Sequence, residues 1–440
     1  MALGLDLGSS GARLALVARD NRAGGTGTSA PCFRLIWETA LPYPGRFDDP
    51  LGWKEVLRQL CGAIPETWRQ SIAAIALDGT SGTLLLCRPD GSLLPPPLAL
   101  ALPYHQACPA VAASAAAIAS SGPAAGASGS LARALTLLQR AADQGDRGPW
   151  LLRHQADWLM GWLLADWRWG EEGNNLRLGW DLERQAWSGS IGSQRWASSL
   201  PEIQPSGQVL GPLAAEVAAQ LNLPATCRVV SGSTDANAGV LAADPAAGDG
   251  VAVLGTTLVL KRFVARPLQG PGISCHRVAG RWLVGGASNA GAGILRRFFS
   301  DGQIEALSRQ IDPDQPSGLR LLPLPARGER FPVDDPELEP VLDPRPVSDA
   351  LYLQALLEGL TALELAGWQR LQALGMEPLQ RVISLGGGAR NPQWRRMRER
   401  ALGVPVLNRP RLSAARGMAQ LALAALEASE LAAAGAGLPS

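Results

Sequence analysis

Lysine is almost absent: of 40 basic residues only Lys54 and Lys261 are not arginine. Trp53 and Leu260 precede them, so the Gly-Lys-Ser/Thr of a Walker A loop does not occur. The three histidines, His105, His154 and His276, are too widely spaced for His-Glu-x-x-His, which removes that zinc-protease class. Neither Gly-x-Ser-x-Gly nor Gly-x-Gly-x-x-Gly is found, and hydrolase and dinucleotide-binding readings weaken accordingly. The six cysteines (Cys32, Cys61, Cys87, Cys108, Cys227 and Cys275) form no Cys-x-x-Cys pair. They suit neither a structural zinc site nor a disulfide scaffold, and reduced, mostly buried thiols are expected. A dominant charge is missing too: 39 acids against 40 bases leave a net +1, which gives no field to attract nucleic acid or an anionic membrane. The Ala-rich stretch 110–134 is interrupted by Pro123 and by Gly and Ser, so no membrane-length apolar run survives. With the chain running straight into Asp6 and a glycine turn, no signal peptide is read. A cytoplasmic protein without nucleic-acid or membrane partners is expected.

What the sequence does contain is core material. Hydrophobic residues make up 46% of 440, which supports two or three domains. The chain opens as strand, turn, strand: Ala2–Asp6, Leu7-Gly-Ser-Ser-Gly-Ala12, then Arg13–Val17. The pattern returns at Gly250–Leu254, Gly-Thr-Thr, Leu258–Phe263, which predicts two domains on one plan. Cys32–Glu38 reads as a third strand of the first half. In the second half 272–277 and 281–284 flank the turn Val278-Ala-Gly280. Strands are also predicted at Ile72–Leu77, Thr226–Val230 and Arg381–Leu385, ending in Asp78–Thr83, Ser231–Asp235 and Gly386–Gly388. A long helix is predicted over 348–374. Hairpins mixed with strand–helix units indicate an α/β protein with mixed sheets.

Each glycine-rich turn sits at the carboxyl end of an apolar strand, the edge where open α/β sheets bind ligands. Small residues and successive backbone N–H groups there form an anion cradle, and two cradles could grip a triphosphate without a Walker lysine. Asp6, directly before Gly8–Gly11, is placed to hold magnesium beside phosphates, or simply to cap the turn. Asp235, at a strand-to-helix junction, is placed to accept a hydroxyl proton, or to cap the helix.

Asp6-Leu-Gly-Ser-Ser-Gly-Ala-Arg13 resembles the first phosphate motif of the FGGY carbohydrate kinase family. Leu254-Gly-Thr-Thr257 resembles its second, and Gly386-Gly-Gly-Ala-Arg-Asn391 with Trp394 its adenosine motif, while Asp235 stands where the family places its catalytic aspartate. The stretches Leu77–Thr83, His154–Trp158, Gly285–Asn289 and Arg327–Pro332 are similar to the compact D-ribulokinase-like branch of cyanobacteria and plants, once grouped with xylulose kinases. The resemblance implies two ribonuclease-H-like domains of the actin-like ATPase superfamily flanking a cleft that closes over its ligands. It implies an N-terminal domain over 1–242, a C-terminal one over 243–412, and a final helix over 413–440 packing back on the first.

The implied reaction is ATP- and Mg²⁺-dependent phosphorylation of a sugar, D-ribulose first and D-xylulose second. Asp235 would be the base, Asp6 and Asp235 would stand near the metal, and Asp6, Ser81 and Asp235 near the sugar. Gly8, Ser9, Ser10, Gly255, Thr256 and Thr257 would border the phosphates, and Gly387, Gly388, Asn391 and Trp394 the adenosine. Ser9 and Ser10 depart from the family's usual Thr-Ser or Thr-Thr, which keeps the hydroxyl and drops a methyl. A nucleotide-switched actin-like binding protein and a weak ATP hydrolase are the competing classes, and a monomer is expected.

Other features have plainer readings. Tyr104-His105-Gln106 lies at the expected edge of the sugar site. Asp157-Trp158 lines a ligand site or belongs to a buried helix with one capped acid. The run Arg395–Arg400 reads as a solvated helix face, and most of the 14 tryptophans as core.

Overall fold

The structure is a computed structural model describing residues 1–20, 33–119 and 122–436. Cys32 and the low-complexity tail at 437–440 lie outside the described residues. Two compact units divide the chain: Met1–Ala242 with Arg277–Gly280 and Ser413–Ser440, and Ala243–His276 with Arg281–Leu412.

The first unit is built on β1 (Ala2–Leu7), β2 (Gly11–Arg19), β3 (Phe33–Pro42), β4 (Ala74–Gly79), β5 (Val209–Pro212) and β6 (Arg228–Thr234). They form one mixed sheet, ordered β5-β6-β4-β1-β2-β3. The pair β1/β2 is antiparallel, while β1/β4 and β4/β6 are parallel. Buried on both faces, β1 reads as a continuous apolar run up to Asp6. On one face Leu3, Leu5, Leu14, Leu16 and Ile75 pack against α1 (Pro50–Gly62), capped by Asp49, through Trp53, Leu57 and Leu60. Helices α2 (Ser130–Asp143), α3 (Gln155–Leu164) and α4 (Asp235–Ala243) complete the parts of this unit that carry candidate site residues.

The second unit repeats the arrangement with β7 (Asp249–Leu254), β8 (Leu258–Val264), β9 (Ile273–Val278), β10 (Arg281–Ala287), β11 (Arg381–Leu385) and β12 (Val406–Asn408). Their order is β9-β10-β8-β7-β11-β12, with β7/β8 antiparallel and β7/β11 parallel. Helices α5 (Asp301–Ser308), α6 (Asp349–Ala373, capped by Ser348) and α7 (Pro392–Leu402) belong to it. The last helix, α8 (Ala414–Ala436), lies in the first unit, where Met418, Leu421 and Ala422 pack with Ala2, Ala74, Ala76 and Val230 on the sheet face opposite α1. Among the described residues no helix is long and apolar enough to cross a membrane, and no disulfide joins the described cysteines.

Three expectations change. Strand β6 runs on through Ser231-Gly-Ser-Thr234 where a loop was read, because those residues are small enough to continue pairing with β4 across a bulge between Val230 and Ser233. Only Trp53, Trp158, Trp162, Trp368 and Trp394 are buried; the other tryptophans are half-buried, and most of them, such as Trp37, Trp68, Trp150 and Trp187, pack at the edges of the cores. The Arg395–Arg400 run is not wholly solvated: Arg398 is fully buried, paired with Glu364 and donating to Ser384 Oγ (2.7 Å). Removing one partner of such a pair leaves an uncompensated charge in the core, so this arginine ties α7 to α6 and β11.

Candidate functional site

In the first unit the parallel register puts Asp6 of β1 opposite Asp78 of β4, and Asp78 opposite Ser233 of β6. Asp235 follows as the first residue of α4. Three carboxylates therefore emerge at the carboxyl edge of one sheet. Their close approach depends on Gly232: a Cβ there would lie 1.7 Å from the Leu77 carbonyl oxygen. The turn after β1 is closed by Gly8 N–H donating to Gly11 O (3.0 Å) and anchored by Tyr43, whose hydroxyl donates to Gly8 O (2.8 Å). Ser9 and Ser10 are exposed at its tip.

Burial sets the electrostatics. It raises the pKa of Asp6, an effect opposed by a hydrogen bond to Asp78 and by the Arg13 charge. Asp78, completely buried, is held well above the usual carboxylate range by burial and by the neighbouring Asp6 and Asp235 charges. Asp235 accepts from Ala236 N–H (2.8 Å), and burial, with a smaller push from Asp6, moves its pKa up to about 6 while Arg177 pulls it back. A carboxylate poised there is suited to general-base work near neutral pH.

The Asp78–Thr83 segment is pinned by groups with no local sequence signature. Gln155 Oε1 accepts from Thr80 N (3.1 Å) and Thr80 Oγ1 (2.9 Å), and Thr83 Oγ1 accepts from Tyr104 N (3.1 Å). Arg133 donates to Gly82 O (3.1 Å). Ser81 stays half-exposed at the tip. Tyr43 and Arg133 have no signal in the sequence and Gln155 only its place in the His154–Trp158 stretch, because only the tertiary fold brings them to these loops. Asp157 takes the plainer of its two readings, buried and accepting from Glu171 N (2.9 Å) and Asn175 Nδ2 (3.0 Å).

The second unit holds a separate cavity of about 780 Å³, within the usual size of ligand pockets. Leu254, Gly255 and Thr256 of the β7–β8 turn line it, with Gly387, Gly388, Asn391 and Trp394 from the β11–α7 junction. Thr256 is exposed and Thr257 half-buried, and Gly255 N–H donates to Thr257 O (3.2 Å). Asn391 caps α7 by accepting from Gln393 and Trp394 amides (3.0 Å each) and donates to Ser308 Oγ (2.9 Å). Trp394 is only 2% exposed, and its indole N–H is committed to Thr361 Oγ1 (3.0 Å), so it forms the floor of the cavity rather than a free stacking face. The α5 wall, with Ile304, Glu305 and Ser308, was not legible in the sequence.

Among the described residues no group of three or more His, Cys, Asp or Glu forms a metal cage. Magnesium seldom needs one, since it takes one or two carboxylates and completes its shell with phosphate oxygens and water. Asp6 and Asp235, at the ends of β1 and β6 with Asp78 on β4 between them, supply that kind of donor set.

Solved structures share this fold over 97% of the chain. The xyloylose kinase of Brucella ovis matches with a TM-score of 0.79 at 22% identity over 90% of its own length. The xylulose kinase of Rhodospirillum rubrum matches at 0.77 and 21% over 89% of its length. The glycerol kinase of Plasmodium falciparum, solved with ADP, matches at 0.74 and 14% over 90%. Residues 250–426, which contain the β7–β8 turn and the Gly387–Trp394 wall, match the family model described as the C-terminal domain of the FGGY family of carbohydrate kinases. The C-terminal part of the chain thus resembles the C-terminal domain of the FGGY carbohydrate kinases, and the fold of the chain is shared with solved sugar kinases.

Proposed function

We propose that this protein is a carbohydrate kinase that transfers the γ-phosphoryl group of ATP to a ketopentose hydroxyl, with D-ribulose the first substrate to test. One observation carries the catalytic part: Asp235 stands at the carboxyl edge of the first unit's sheet with its carboxyl shifted to about 6. Asp235 takes the proton of the sugar hydroxyl, the freed oxygen bonds to the γ-phosphorus, and the bond to the β-phosphate oxygen breaks to release ADP. Asp6 and Ser81 orient the sugar. The Gly8–Gly11 and Gly255–Thr257 turns offer backbone N–H groups and the hydroxyls of Ser9, Ser10, Thr256 and Thr257 to phosphate oxygens. Gly387 and Gly388 leave room for the adenosine above Trp394, while Asn391 fixes that wall by capping α7. Magnesium, held near Asp6 and Asp235, would neutralise charge building on the phosphates.

The D-ribulose choice rests on the resemblance of Leu77–Thr83, Gly285–Asn289 and Arg327–Pro332. The last two stretches meet in the structure, where Glu329 accepts from Asn289 N (2.7 Å) and Asn289 Nδ2 donates to Gly328 O (2.9 Å). D-xylulose is the second reading, favoured by the names of the structural relatives. Release of ADP measured with a panel of ketopentoses tests both. Stimulation by D-ribulose above all others is expected, and sugar-independent ADP release would instead support a weak hydrolase or a nucleotide switch.

A further inference from the structure

Three segments of the first unit meet behind Ser81, and one buried side chain joins them. Arg133, in the first turn of α2, has none of its surface exposed. Its guanidinium donates to main-chain carbonyls: Nη1 to Gly82 (3.1 Å), Nε to Pro103 (2.9 Å) and Gln106 (3.1 Å), and Nη2 to Tyr104. Burial pushes its pKa down to about 10. A buried guanidinium without a carboxylate beside it costs stability, so a link needed only for folding would be made more cheaply by neutral groups. What it joins is informative. On one side is the Asp78–Thr83 loop with Ser81, and on the other an aromatic face. Tyr104, 37% exposed, meets His105 edge-on (5.1 Å between rings) and Phe47 (6.4 Å), and His105 stacks on Phe47 (6.5 Å). Thr83 ties the same two segments by accepting from Tyr104 N (3.1 Å) while its hydroxyl sits 2.6 Å from that of Thr80.

We propose that Arg133 is a positioning residue for the acceptor sugar, holding Ser81 and the Tyr104–His105 face at a fixed separation that selects among sugars by hydroxyl stereochemistry. The proposal rests on the sugar-kinase reading above. Arginine suits the task because its planar fork presents five donors in fixed directions, whereas the three donors of a lysine diverge from one atom.

The test measures kcat and KM for D-ribulose, D-xylulose and ATP in the wild type, Arg133→Lys and Thr83→Val. Both variants are expected to raise the sugar KM by about tenfold, a loss of ~1.4 kcal/mol, and to narrow the preference between the two ketopentoses. The ATP KM should stay unchanged, since Arg133 and the Thr83 hydroxyl bond to none of the groups proposed for the nucleotide. A merely structural role would lower kcat through a smaller active fraction and leave every KM in place, and that result overturns the proposal. So does a sugar KM that rises together with the ATP KM, or folded variants with wild-type sugar preference. If Arg133→Lys does not fold, the isosteric Thr83→Val decides on the same criteria. A wild type that phosphorylates neither ketopentose overturns the functional reading and this proposal with it, whereas normal wild-type turnover with unaltered variants overturns the proposal alone.

Discussion

At the scale of single residues, the burial that makes the Asp235 carboxylate costly to folding also raises its pKa toward the range of the proposed base. Its carboxyl titrates at about 6, so kcat/KM is expected to fall as pH drops below that value and the base becomes protonated. Between the ordinary carboxylate range and pH 6 the folded chain binds a proton that the unfolded chain has lost, so stability declines as pH rises through that window. Asp235→Asn is expected to lower kcat by about 10²–10⁴-fold with little change in nucleotide affinity. The same variant should raise Tm by about 2–4 °C, more at alkaline than at acid pH, because only the charged form is penalised. Near-normal turnover would remove Asp235 from the role of base. For Asp6 the expected outcome is metal-dependent: turnover stops in excess chelator and returns with Mg²⁺ or Mn²⁺, and Asp6→Ala is inactive while melting cooperatively. Full activity in chelator would overturn its placement near the metal.

At the scale of elements, the turns depend on close backbone approach. A Cβ on Gly291 would lie 2.5 Å from the Thr256 carbonyl oxygen, so Gly291→Ala must displace the β7–β8 turn. An ATP KM raised about tenfold, with sugar affinity measured by calorimetry unchanged, is expected, and an unchanged ATP KM would detach this turn from phosphate binding. The strand–turn–strand openings were legible in the sequence because alternating apolar runs and Gly-Ser or Gly-Thr punctuation are local signals. The extension of β6 through Ser231–Thr234 was not, because those small polar residues carry no strand preference and are paired only by the presence of β4. Arg398 was read as solvated for the same reason: its burial depends on Glu364, 34 residues away in the chain.

At the scale of the whole molecule, the groups proposed for sugar lie in the first unit, while those proposed for nucleotide are the Gly8–Gly11 turn of the first unit and the cavity groups of the second. Hydrogen exchange should therefore separate the ligands. A non-hydrolysable ATP analogue is expected to protect 255–257 and 387–391, and D-ribulose alone to protect 78–83 and 104–106. Protection of 78–83 by the nucleotide alone, with none at 387–391, would reverse the assignment of the two sites.

The sequence by itself determined the α/β class with mixed sheets, since strand periodicity, glycine turns and the repeated hairpin are written in neighbouring residues. It also singled out Asp6, Asp235 and the small-residue turns as candidate site residues, because they stand at strand carboxyl ends, the edge where open α/β sheets bind ligands. Only the tertiary structure decided what surrounds them. Asp78 is placed against Asp6 by parallel register, Tyr43, Gln155 and Arg133 reach the site loops from distant segments, and Trp394 turns inward to Thr361. Burial and through-space contact set the pKa of Asp235 and the rigidity of the Ser81 loop, and neither is a property of residues adjacent in the chain.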